Sequence, residues 1–85
     1  MDIRQVRATI NQGGKAAKDG IELIQEVQAR IEQAHTSAAA TTHDSAHPET
    51  EEGLGKLKEA MKEASRVAGL LHSGASAAEE YGSKL

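Results

Sequence analysis

The stretch LGKLKEAMKEASRVAGLL, residues 54–71, decides the fold. Leu54, Leu57, Met61, Ala64, Ala68 and Leu71 fall on alternating three- and four-residue steps, with charged residues concentrated between them. A 3.5-residue repeat keeps one narrow seam of an α-helix turned toward a partner helix. Downstream the repeat continues through Ala75, Ala78, Gly82 and Leu85. Upstream, beyond a stretch without apolar periodicity, the same steps recur at Ile3, Val6, Ile10, Gly13, Ala17, Gly20, Ile24, Val27, Ile31 and Ala34. Two such seams in one short chain predict an all-α fold, a long antiparallel two-helix hairpin forming a single domain over residues 1–85.

Local signals set the expected limits. Asp2 can cap a first helix that runs to about residue 34, and Gly13 with Gly14 allow a bend in it. Residues 35–47, mostly Ala, Thr, Ser and His, read as a flexible connector. A second helix then starts at Pro48, whose missing N–H costs nothing in the first turn, with Glu49, Glu51 and Glu52 at the positive end of the helix dipole. It is expected to reach about residue 72. Ser73 and Gly74 permit an interruption, and Ser76 followed by Glu79 has the form of a capping box that would open a separate short helix over 76–83. Folding the chain about its connector pairs residues whose numbers add to about 88: Ile31 with Leu57, Val27 with Met61, Ile24 with Ala64, Ala17 with Leu71, and Ile10 with Ala78.

Composition limits what such a hairpin can do alone. Of 85 residues 38% are hydrophobic, yet there is no Phe or Trp and a single Tyr, so aliphatic side chains must build the core. About a dozen of them at roughly 1.5–3 kcal/mol each leave little margin against the conformational entropy of the chain. A partner is therefore expected. Positions flanking the two seams point the same way: Ala16 and Leu23 in the first helix and Ala60, Val67, Leu70 and Gly74 in the second are small or apolar, although a hairpin closes without them. A surplus apolar stripe predicts a further helical surface packed on it, as in a four-helix bundle of two hairpins.

Chemistry-bearing patterns are few. His43 and His47 stand four apart, but with only Asp44, Glu49 and His35 as further donors and no cysteine they fall short of a closed metal site. Glu59 with Glu63, and Glu79 with Glu80, read as a solvated face carrying helical ion pairs to Lys62 and Arg66. Gly13-Gly14-Lys15 lacks the spacing of a phosphate-binding loop. No catalytic residue, metal ligand or cofactor is assigned, and the chain is not expected to be an enzyme. Arg4, Arg7, Lys15 and Lys18 form a short basic stripe that would serve a small cytosolic regulator binding nucleic acid, the alternative reading. A net charge of −3 and the lack of aromatic platforms weigh against that alternative.

The length, the alanine-rich heptads and the hairpin pattern resemble the small Trp-x-Gly proteins of type VII secretion systems. At the place of the family's Trp-x-Gly this chain has Gly53-Leu54-Gly55, and Tyr81 is followed four residues later by Leu85 where the family has an acid. The resemblance implies hairpins that pair into four-helix bundles and leave the cell folded, often as partners of larger substrates. With no apolar h-region after Met1 and no bilayer-length apolar run, the expected location is the cytoplasm, or outside the cell without an ordinary signal peptide. The sequence thus predicts a non-enzymatic helical interaction protein that works by dimerising, with itself or with a similar hairpin.

Overall fold

In the computed structural model, which describes residues 2–42 and 47–85, two helices account for nearly the whole chain. Helix α1 spans Ile3–Thr42 and α2 spans Pro48–Ser83; no strand occurs among the described residues. They pack along their length as an antiparallel hairpin, a rod of 64 × 15 × 15 Å measured on Cα atoms. Its radius of gyration is 19.1 Å. A compact domain of this length would have about 12 Å.

Both helix starts follow local chemistry. The Asp2 carboxylate accepts a hydrogen bond from the Gln5 backbone N–H at 2.9 Å, as an N-cap should. At α2, His47 has the extended backbone of an N-cap (φ −98°, ψ 132°), Pro48 follows, and the Thr50 hydroxyl donates to the His47 carbonyl at 2.7 Å.

The helical part of the chain extends further than expected, and neither helix is interrupted. The connector expected over 35–47 is helical as far as Thr42, while residues 43–46 lie outside the described residues. Alanine is the strongest helix former, and His35, Ala38 and Ala39 gain partial burial by continuing α1, which outweighs the neutral Ser and Thr between them. No bend develops into a break at Gly13 and Gly14, and no glycine adopts positive φ. Nor does a separate helix form over 76–83: α2 passes through Ser73 and Gly74 to Ser83, because Ala75, Ala77 and Ala78 sustain it and no turn is needed there.

Packing departs from the mirrored heptads in two ways. The contact register is shifted by about one helical turn. Leu71 lies against Gly20, Gly82 against Ile10, and the Gln28 Nε2 donates to the Ser65 hydroxyl at 2.9 Å, so facing residue numbers add to about 92. With α1 extended to Thr42 and α2 fixed at Pro48, the reversal sits later in the chain than the expected connector put it. The seam of α1 is also rotated. Val6, Ile10, Ala17, Gly20, Ile24 and Ile31 are half-buried as expected, but Gly14, Ile21, Gln28 and His35 are turned inward beside them, and Ile3, Gly13, Val27 and Ala34 are exposed. Ile21 explains the rotation: covering its side chain is worth up to about 1.5–3 kcal/mol, which Gly20 alone cannot supply. In α2 the expected seam is occupied except at Ala78, which is exposed.

Among the described residues none is fully buried. Each apolar layer is covered by one neighbouring helix and is otherwise open to water.

Candidate interaction face

Two sides of the rod differ in chemistry. On one, polar residues rim shallow grooves between the helices whose floors are largely apolar. Near the termini Arg7, Asn11, Glu79 and Ser83 border Ile10 and Gly82, and further along Lys18, Glu22, Gln25, His72 and Glu79 border Ile21 and Ala75. Toward the reversal, Glu32, His35, Lys58 and Lys62 surround Leu57 and Met61 in a groove of about 330 Å³. The His35 Nε2 is shielded there without a hydrogen-bond partner. Lysines, glutamates and histidines alternate along this side, so it has no field of a single sign.

The opposite side is apolar. In α1, Leu23 and Val27 lie on the flank turned away from Lys18, Gln25 and Glu32; in α2, Val67, Gly74 and Tyr81 lie on the flank turned away from Lys58, Ser65, His72 and Glu79. Because those polar residues face one another across the same grooves, the two apolar flanks share the other face. Leu23 is 62% exposed, Val27 50%, Val67 40% and Leu70 60%. In the observed register these four side chains stand at one height, within about a turn of one another along the rod.

Of the residues expected to bind a partner, Leu23, Val67, Leu70, Ala16 and Gly74 are exposed on this face, and Ala60 is half-buried at its edge. Val27 belongs with them. Reading it into the seam concealed it, and only the rotation set by Ile21 brings it out. Added Cβ atoms at Gly13 and Gly74 would meet nothing within 4 Å, whereas one at Gly20 would touch the Leu71 Cδ1 at 3.6 Å.

The other candidate groups are scattered. His43 and Asp44 lie outside the described residues, while His47 caps α2 and His35 sits in the groove near the reversal. Among the described residues no group of three or more His, Cys, Asp or Glu is placed to hold a metal ion. Arg7 and Glu79 border one groove without forming an ion pair, and the pairs Glu26–Arg30, Glu52–Lys56, Glu63–Arg66 and Glu80–Lys84 each lie within one helix. The Arg66 guanidinium is raised above its ordinary pKa by its hydrogen bond to Glu63 and then by the charge of that carboxylate. Arg4, Arg7, Lys15 and Lys18 are exposed, with Glu22 and Glu79 bordering the same groove as Lys18. The segment Gly53-Leu54-Gly55 falls inside α2, not at the reversal.

Among the described residues no helix is long and apolar enough to cross a membrane. Comparison of the chain with protein-family models, with curated proteins and with solved structures finds no match.

Proposed function

We propose that the protein is a non-enzymatic helical interaction protein, acting through the face that carries Leu23, Val67 and Leu70 and completing a four-helix bundle with another helical hairpin. One observation carries this reading: four bulky aliphatic side chains, 40–62% exposed, gather at one height on one side of a rod with no buried residue among those described. A contiguous apolar patch rimmed by polar residues is the mark of an association surface. Covering it would also supply the second layer that each seam residue lacks. The resemblance to the type VII hairpin proteins agrees with this and would make the partner a similar hairpin or a larger exported protein.

Replacing both Val67 and Leu70 with Asp tests the reading by sedimentation and by helicity. Loss of the native associated mass, with or without loss of helix, is the expected result. Unchanged mass together with unchanged melting would remove it.

A further inference from the structure

We propose that the apolar face is covered by a second copy of this chain, laid face to face and end for end, with the two-fold axis crossing α1 near Gly20 and α2 between Leu70 and Gly74. This rests on the reading that the face is an interaction surface, and adds to it the occupant and its direction.

The argument lies in how size is distributed along the face. Leu23, Val27, Val67 and Leu70 form a raised block near the middle of the rod, and Gly13, Ala16, Gly74 and Ala77, with half-buried Gly20 at their inner edge, form a low block beside it toward the termini. Turning a second hairpin end for end about the boundary sets α1 on α1 and α2 on α2. Leu23 then comes over Ala16 and Gly20 of the second copy, Val27 over its Gly13, Leu70 over its Gly74, and Val67 over its Gly74 and Ala77. The same axis brings Val6 over Ala34, a pair that took no part in choosing it, and Tyr81 over Glu63. Large opposite small is what interdigitating layers require. Laying the two hairpins in the same direction instead puts the raised blocks on each other and the glycines on each other, a wide layer beside a void.

Area and charge agree. The axis lies about 6 Å from the middle of the 64 Å rod, so about 50 Å of its length overlaps. A face of that length and 15 Å width gives about 750 Å² per copy, within the range of stable protein interfaces. On the rows that meet nearest the axis, Gly13, Ala16, Gly20, Leu23 and Val27 in α1 and Val67, Leu70, Gly74 and Ala77 in α2, no position carries a charge; Arg30 and Glu63 come in only further out, opposite Thr9 and Tyr81. No charged group is therefore desolvated at the centre of the contact.

The chain has no cysteine, so a spin label on Ser37→Cys, exposed near the reversal, reports direction directly. Placed end for end, the two labels stand about 50 Å apart from the helical rise alone; in the same direction they lie within about 20 Å. Lys56→Cys, at the same height on α2, gives a second distance of about 50 Å. A two-chain mass with both long distances is the expected result. Two-chain mass with short distances overturns the end-for-end arrangement and leaves the interaction reading standing. A single-chain mass with helicity intact overturns the second copy as occupant, whereas failure of the Val67→Asp, Leu70→Asp chain to differ from the native one strikes the interaction reading itself.

Discussion

Replacing Gly74 with Leu sets the hairpin and the proposed pair in opposition. Within one chain the position is open: an added Cβ meets nothing within 4 Å, and the backbone is already helical. Exchanging an interior helical glycine for leucine removes a penalty of about 0.8 kcal/mol, which for a domain of this size raises the melting temperature by roughly 3–6 °C. In the pair the same glycine seats Leu70 of the second copy, and symmetry doubles the clash. Overfilling a packed site costs about 1–3 kcal/mol, so two sites cost about 2–6 kcal/mol. The dissociation constant should then rise between about 30-fold and 10⁴-fold. Sedimentation equilibrium over a concentration series reads that change, and thermal melting at low concentration reads the helix gain. Gly69→Leu is the control, since Gly69 is equally open but lies on the outer polar side of α2; it should show the gain and keep the native mass. Equal or tighter pairing by Gly74→Leu, or an equal loss in Gly69→Leu, would refute the reasoning.

The rotated seam makes further predictions about the hairpin itself. Ile21→Ala should destabilise the chain by about 1–3 kcal/mol in denaturant unfolding, less than a fully buried site because Ile21 is only half covered. A negligible cost would mean that Ile21 does not contribute to the seam. Gln28→Leu gives up the hydrogen bond to Ser65 and puts an aliphatic group against α2, so stability should rise by about 0.5–1 kcal/mol; a lower melting temperature would contradict it. Asp2→Ala should cost about 0.5–2 kcal/mol of helix stability, seen as faster hydrogen exchange confined to the first turn of α1.

Legibility in the sequence differed between the helices for identifiable reasons. In α2 the large residues Leu54, Leu57, Met61 and Leu71 all lie on one seven-residue repeat with charged neighbours, and the structure uses that seam. In α1 two seams compete. Ile10, Ala17, Ile24 and Ile31 belong to both, while Gly20 and Val27 extend one and Ile21 and Gln28 the other; periodicity counts apolar positions, whereas packing weighs their volume. Beyond Ala34 the absence of large apolar residues concealed a helix that alanine propensity and partial burial maintain to Thr42. The exposed flank at Leu23, Val67 and Leu70 was visible because those residues are large and unneeded for the seam. Val27 was hidden by the same ambiguity that misplaced the seam.

A rod without depth has a modular length. Every layer touches the layers above and below it and one across the hairpin, and none is enclosed by the rest. Removing seven residues from α1 and the seven facing them in α2 would take out one such unit and rejoin both seams in register. Length in this architecture can therefore change by matched heptads while the layers on either side keep their neighbours, a freedom that a chain built around an enclosed core does not have.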